Sequence, residues 1–441
     1  MTFIDGGLPD DIREAIDEEL SFEVQGHEWT DSWQNGSWDG KEYLLKRTSE
    51  GDWWFPVGLL DRVRSVLDTY GVDYDVEGVT RPGRGDLGLS WDFGGELREY
   101  QEDAVNRALR FGSGVVAMPT GSGKTVSALR LAYELDWPFL VTVDNREIAD
   151  QWVERIESTL GVEPARYYAG DRENGDVMVA LYQSVYMDGE VVDDARLDHP
   201  VWLADECHNV AASTFHRVAM SCPAPYRFGF SATPEREDGA ELKVFGGIGP
   251  LIADLSVERM IEEGFLAEPE WDIIDAPHSG GYYQGWQDEY QEEIVKNERR
   301  NLMIAEKVNA VEKPCLVTVE RINHGERLEA VIEAAAFVHG SRSDRDGVVR
   351  SFREGDLPVM VATRGIVGEG FDCPEIASFV VAGGMKSEVS MIQQVGRALR
   401  PETETATIVD FYDGGDQWVA GHSGDRLRTY QEYYGSDWGP L

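Results

Sequence analysis

Residues 118–125 read Met-Pro-Thr-Gly-Ser-Gly-Lys-Thr. They stand between the apolar run Val115-Val116-Ala117 and a stretch in which Ala128, Leu129, Leu131, Ala132 and Leu135 recur at helical spacing. A strand, a glycine-bearing loop and a helix in that order form a phosphate cradle. Dense negative charge is met by backbone N–H groups at a helix N-terminus, by glycines that let the backbone come close, and by one cation. Pro119, Thr120, Gly121, Ser122, Gly123 and Lys124 supply these, and Thr125 offers a hydroxyl to Mg²⁺. Met118 stands where the general pattern has its first glycine.

Hydrolysis of a triphosphate also needs a carboxylate for the metal and a residue that activates water, both from a strand end facing the loop. Val201-Trp202-Leu203-Ala204-Asp205-Glu206-Cys207-His208 fits that need. Asp205 is the expected Mg²⁺ ligand and Glu206 the residue that polarises water. An acidic pair is common in so acidic a chain, so the weight rests on its place after an apolar strand.

Strand candidates alternate with helical stretches from Leu97 to about Ala253, at 115–118, 139–143, 177–181, 201–204 and 227–230. A second series follows Phe265, near 271–274, 315–319, 358–362, 378–382 and 406–410. Continuous apolar runs of this kind predict buried parallel sheets, hence an α/β fold in two lobes. The segment 276–298, rich in Gly, Tyr, Gln and Glu, reads as a connecting excursion before a helix at Arg299–Val311.

Residues 1–92 differ in composition, because Trp29, Trp33, Trp38, Trp53, Trp54 and Trp91 crowd there. Trp38-Asp39-Gly40-Lys41 reads as a hairpin turn, and Leu59, Leu60, Val63, Val66, Leu67 and Tyr70 as a helix, giving a small N-terminal α+β domain. Arg81-Pro82-Gly83-Arg84-Gly85 reads as a linker. The expected divisions are 1–92, 93–257, 258–425 and a tail at 426–441. For Arg426, Arg428, Tyr430, Tyr433 and Tyr434 in that region both helix packing and a functional role are open.

The chain carries 82 acidic and 40 basic residues, only eight of them Lys, for a formal net charge of −42. Self-repulsion on this scale weakens a folded state in dilute buffer, whereas at ~1 M salt the Debye length falls to ~3 Å and screens it. A salt-adapted cytoplasm, as in extreme halophiles or their viruses, is the expectation, with an acidic protein of an ordinary cell as the rival. No run of ~18 apolar residues occurs, and Met1–Asp10 lacks a basic-then-apolar leader. A cytoplasmic enzyme with no membrane partner is therefore expected. Cys207, Cys222, Cys315 and Cys373 lack CxxC spacing and matching His pairs, which argues for reduced thiols over a zinc site or disulfides.

From about residue 95 to 412 the chain resembles the superfamily 2 helicases and translocases, with several segments matching in order. Leu97-Arg98-Glu99-Tyr100-Gln101 is similar to the segment whose Gln reads the adenine edge, which implies nucleotide contacts from Arg98 and Gln101. Val141 to Glu147 with Gln151-Trp152 resembles the first nucleic-acid-contacting motif. Ser231-Ala232-Thr233 is similar to the motif that couples hydrolysis to strand movement, and His208, Ser231 and Thr233 take that expected role. Val361 to Pro374 and Gln393 to Pro401 resemble the fifth and sixth motifs. They imply nucleotide contacts from Gly370 and Asp372 and catalytic roles for Gln393, Arg397 and Arg400. The resemblance implies two RecA-like P-loop lobes in tandem, with ATP and Mg²⁺ as cofactors.

Within the superfamily, Thr233 to Gly239 resembles the R-E-D element of XPB-like repair helicases, here Arg236, Glu237 and Asp238. The Trp-Asp-Gly-Lys turn with Phe55 to Leu60 is similar to the N-terminal domain of UvsW-type recombination helicases, which implies a DNA-engaging or damage-sensing module. By motif match, Arg146, Gln183, Ser184, Thr363 and Arg364 join the nucleic-acid candidates. The N-terminal tryptophans have two readings: most fill the core, while one or two exposed rings beside Lys41, Lys46 and Arg47 could stack on bases at ~1–3 kcal/mol each.

A phosphoryl-transfer transition state spreads charge over its equatorial oxygens, and a guanidinium that neutralises it is worth ~10³–10⁵ in rate. Arg397 and Arg400, three apart on an expected helix, share one face. Delivered from the second lobe, they would make cleft closure and hydrolysis one event. DNA binding by a polyanion cannot lean on counterion release, which fails as salt rises. Backbone N–H groups, hydroxyls and helix N-termini contact phosphates with less reliance on net charge. The expectation is an ATP-dependent DNA helicase or translocase, monomeric as a motor, acting on single-stranded, forked or branched DNA in repair or recombination. Its rivals are the duplex-translocating motor of a restriction-type system and a nucleotide-gated DNA-binding or annealing protein.

Overall fold

Apolar runs bounded by polar turns become seven strands in the first α/β region: β1 (Ser113–Ala117), β2 (Phe139–Val143), β3 (Ala165–Tyr167), β4 (Val177–Leu181), β5 (Val201–Asp205), β6 (Tyr226–Ser231) and β7 (Leu251–Asp254). All neighbours are parallel, in the order β7-β1-β6-β5-β2-β4-β3. Burial on both faces explains why the central strands read as unbroken apolar runs. The edge strands β3 and β7 fall outside the expected set; β3 is short and carries Arg166 at its centre. The helices that cover the sheet include α1 (Glu99–Phe111), α2 (Lys124–Leu135), α3 (Arg146–Leu160) and α4 (Glu241–Ile248).

This computed structural model describes all residues except 6, 79–80, 90–96, 188–189, 192–197, 212, 235–238, 368–375, 385–394, 397–404, 416–417 and 436–441. The chain divides into two units, Met1–Met118 with Gly123–Leu255, and Ser256–Leu441 with Pro119–Ser122.

In the N-terminal region of the first unit, Thr2–Ile4, Trp53–Phe55 and Lys46–Arg47 form one antiparallel sheet, and Ser21–Glu23 pairs with Lys41–Tyr43 in another. Helices Asp10–Glu19 and Leu60–Thr69 pack against each other and share a core with these strands. The core here is mostly aliphatic, with Ile12, Ile16, Leu20, Leu44, Leu45, Leu59 and Val63 around the Phe55 ring, and it takes in Leu242 from α4. Lys243 of α4 adds an ion pair to Glu42 at 2.7 Å. The expectation that most of the tryptophans fill this core is overturned. Trp29 is 80% exposed, Trp33 41% exposed, and Trp38, Trp53 and Trp54 half-buried. Aliphatic side chains and Phe55 fill the core, with Trp53 packed at its edge.

The hairpin expected at Trp38–Lys41 is corrected as well. Lys41–Tyr43 pairs back to Ser21–Glu23 across a longer excursion, not to the residues just before the turn. The turn is real but closed by side chains: Asp39 Oδ1 accepts the Lys41 N–H at 3.0 Å, and the Trp38 indole donates to Lys41 O at 2.7 Å. The segment expected as a linker is tied to the α/β region. Arg81 donates to Phe111 O and Ser113 Oγ, and the Gly85 N–H to Leu135 O.

The second unit holds β8 (Glu268–Ala276), β9 (Cys315–Val319), β10 (Ala335–Val338), β11 (Val359–Thr363), β12 (Ser378–Val381) and β13 (Thr405–Asp413). All are parallel, in the order β8-β13-β12-β9-β11-β10. The excursion after β8 contains a helical turn at Trp286–Glu289 and a π-helical turn at Tyr290–Val295, then α5 (Glu298–Ala310). A single helix, α6 (Trp418–Tyr434), runs across the expected division at 426. Its Arg426 is 1% exposed and reaches Asp410 Oδ2 at 2.8 Å, so this stretch belongs to the core of the second unit. Among the described residues no helix is long and apolar enough to cross a membrane.

Candidate active site

Parallel strands bring their C-terminal ends to one edge, and the loops after β1, β2, β5 and β6 all leave from it. After β1, the Met118 N–H donates to Ser231 O at 2.9 Å, tying the start of the loop to the end of β6. Within the loop, Ser122 Oγ donates to Pro119 O at 2.7 Å. Gly121 and Gly123 take φ of +84° and +85°, a region where a Cβ is disfavoured. A Cβ at Gly123 would also collide with the Gln101 amide. Lys124 then opens α2, so the free N–H groups of the first turn and the positive end of the helix dipole mark this point as an anion site. Gln101 closes a capping box on α1, with its Oε1 accepting the Arg98 N–H at 2.9 Å. Arg98 and Gln101 therefore sit at one helix start, and Gln101 lies against the loop.

At the end of β5, Lys124 Nζ stands 3.6 Å from Glu206 Oε1, with both side chains 13% exposed. Glu206 takes φ +43°, which few non-glycine residues adopt. Asp205 Oδ1 accepts the Glu206 N–H at 3.0 Å, and Oδ2 accepts the Trp152 indole N–H at 2.7 Å. The residue keeps some exposed surface, but its carboxyl lies deep. Burial first, and then the Glu206 charge, push it up to about 6, against the pull of Trp152 and Lys124.

Beyond the acids, His208 Nδ1 lies 3.5 Å from Glu206 Oε2 and 3.0 Å from Ser231 Oγ. Ser231 Oγ also accepts the Thr233 N–H at 3.1 Å. The expected coupling residues His208, Ser231 and Thr233 thus form one buried chain leading from Glu206. Glu206 Oε2 is buried with no hydrogen-bond partner among the described residues. An orphaned buried acceptor is costly unless a ligand or water meets it. Together with the anion-binding helix start, it fits a metal–triphosphate and its attacking water.

The nucleic-acid candidates separate. Arg146 opens α3, is largely exposed, and lies 3.5 Å from Asp150. Gln183 donates to the carbonyl and carboxylate oxygens of Asp144 at 3.0 and 3.2 Å, joining the loops after β4 and β2, with Ser184 beside it. Thr363 ends β11 in the second unit, followed by Arg364, 3.8 Å from Glu320. Arg236, Glu237, Asp238, Gly370, Asp372, Gln393, Arg397 and Arg400 lie outside the described residues.

Trp152, grouped in the sequence with a nucleic-acid-contacting motif, is 3% exposed and faces Asp205 instead. Its adjacency to Gln151 was legible; its partner 53 positions away was not. Also unforeseen in the second unit is the half-buried His278, 3.7 Å from the buried Glu289 and 3.8 Å from the buried Glu293.

Two family models match the chain: "Type III restriction enzyme, res subunit" over residues 94–236 and "Helicase conserved C-terminal domain" over 291–402. The Rad25 protein of Halobacterium salinarum is 32% identical over 360 residues, 77% of this chain and 58% of that one. The phage T4 ATP-dependent DNA helicase uvsW is 23% identical over 448 residues, covering 91% of this chain and 88% of its own. Among solved structures, the ATP-dependent Type ISP restriction-modification enzyme LlaBIII bound to DNA aligns with a TM-score of 0.58 at 15% identity, over 77% of this chain and 30% of its own, a likeness of fold. The chain spans about three fifths of the length of its haloarchaeal Rad25 relatives, 58% and 60%.

Proposed function

The chain belongs to the superfamily 2 helicases, and on that premise we propose that it is an ATP-driven motor on DNA, of the kind that remodels branched or damaged duplexes in repair or recombination. One observation carries the reading. Lys124, at the start of the helix that follows the glycine loop, faces Glu206 at 3.6 Å, with Asp205 adjacent on the strand end.

In this reading the N–H groups from Thr120 to Gly123 and the Lys124 ammonium hold the phosphates, and Gln101 with Arg98 borders the base. Thr125 and Asp205 would hold Mg²⁺, which neutralises charge on the phosphate oxygens when bound. Glu206 orients water with its unpartnered Oε2, and His208 relays its position to Ser231 and Thr233. Arg397 and Arg400 supply the guanidinium charge, and Gln393 is the neutral polar residue of the same motif. Arg146, Gln183, Ser184, Thr363 and Arg364 are the proposed DNA contacts, with Arg236, Glu237 and Asp238 at the strand-separating element. Acidity and haloarchaeal relatives support a salt-rich cytoplasm as the working medium.

The test is ATP turnover in concentrated KCl with single-stranded, duplex and forked DNA. Stimulation by DNA supports the reading, and none by any DNA removes it. The restriction-type family model over 94–236 favours one second reading, duplex translocation without strand separation. Release of a labelled strand from a fork decides against it, and displacement of a triplex-forming strand without fork opening decides for it.

A further inference from the structure

Helix α3 carries two features on one rigid rod. Its start presents the exposed Arg146 under an Asn145 cap, whose Oδ1 accepts the Ile148 N–H at 3.0 Å. Less than two turns on, its inner face presents Trp152, buried among core residues with the indole N–H aimed at Asp205 Oδ2 at 2.7 Å. The strands behind these groups, β2 and β5, are direct neighbours in the sheet, so the bond spans one strand step. The Asp205 carboxylate is held at both oxygens, by Trp152 on Oδ2 and by the Glu206 N–H on Oδ1. Of these two, only Trp152 comes from an element that also reaches the surface. The outer side of α3 carries a further tie, from the Tyr168 hydroxyl to Asp150 at 2.8 Å.

We infer that Trp152 is a positioning residue that links nucleic-acid engagement at the start of α3 to the metal-binding carboxylate Asp205. This rests on the motor reading above. A carboxylate that ligates a metal is oriented by its own hydrogen-bond donors, and losing such a donor typically costs ~10–100-fold in metal affinity or activity. A displacement of α3 on binding DNA moves the indole donor, and with it the oxygen that meets the metal. DNA then improves metal binding without touching the nucleotide.

Trp152→Phe keeps an aromatic ring and removes the N–H, whereas Trp152→His keeps a ring N–H in a smaller side chain. A packing role ranks Phe at or above His, and a donor role ranks His above Phe. The readout is Mn²⁺ binding, followed by electron paramagnetic resonance in the presence of a non-hydrolysable ATP analogue, with and without single-stranded DNA, in concentrated KCl. The expected result is a Mn²⁺ dissociation constant raised ~10–100-fold in Trp152→Phe, partly restored in Trp152→His, and tightened by DNA in the wild type only. Unchanged Mn²⁺ affinity in Trp152→Phe, or His ranking below Phe, overturns the inference. So does a wild type whose metal affinity ignores DNA while its turnover responds to it. Absence of any DNA effect on wild-type turnover removes the motor reading itself, and so is told apart from failure of the link.

Discussion

Lys124 and Glu206 face each other at 3.6 Å although 82 positions of chain separate them, and in the proposed reading a phosphate and its attacking water come between the opposed charges. Their separation is too long for a tight ion pair, which suits a site whose charges act on a ligand. Lys124→Ala is expected to reduce ATP turnover to background. Glu206→Gln should retain ATP binding while turnover falls ~10²–10⁴-fold, the usual worth of a positioned base. Nucleotide binding and phosphate release, measured separately, check both; wild-type turnover in either variant removes the assignment.

Net charge sets a second expectation. The thermal midpoint should climb as KCl rises from ~0.1 M to ~1 M, because the Debye length contracts from ~10 Å to ~3 Å and the acidic surface stops repelling itself. Melting curves over that series check it, and full stability at the low end would count against salt adaptation.

The buried pair of Arg426 and Asp410 predicts a local weakness. Both are 1% exposed, and Arg426 contacts both carboxylate oxygens of Asp410. Arg426→Ala leaves a buried carboxylate without its main partner, which costs about 3–5 kcal/mol. Denaturant unfolding followed by near-ultraviolet dichroism should show the second unit melting first.

The N-terminal module leans on α4, through Leu242 in its core, Phe245 packed against that core and the Lys243–Glu42 ion pair. Leu242 sits in the module's core, so Leu242→Ala should cost about 2–5 kcal/mol and loosen residues 1–70 from the first unit. Limited proteolysis should then cut residues 1–70 faster than in the wild type.

Acid should weaken the fold through two histidines. Burial holds His324 well below its usual range, and burial followed by the Lys243 charge lowers His216 to about 4. Both stay neutral when folded and take up protons when unfolded below ~6.5. The unfolded chain then binds more protons, so this contribution is complete above pH 6.5 and is lost as pH falls toward 4. The raised Asp205 carboxyl works in the opposite sense, so the comparison must be with a variant. His216→Asn should lose less stability than wild type between pH 7 and pH 5, as read from melting midpoints.

The central strands were legible because burial on both faces leaves no polar alternation to confuse, as in Phe139–Val143 and Cys315–Val319. The loop and the acids were legible because glycines and an apolar strand ending in Asp205-Glu206 are local patterns. The hydrogen bond of Trp152 to Asp205 escaped because its partner lies across a strand step, which spacing along α3 does not encode. The tryptophans of the N-terminal module were misjudged since composition tells which rings are present, not which face they take. Leu20, Leu44, Leu45 and Leu59 had already filled the space. Strand β10 escaped because Ala335–Val338 is short and half-buried over its first two residues.

The left-handed backbone at Glu206 sets tolerance against turnover. Glycine there would shed the steric penalty of a Cβ, about 1–2 kcal/mol, and would discard the carboxylate to which the proposed mechanism gives water activation. A selection for heat resistance and a selection for the proposed turnover would therefore pull this one residue in opposite directions.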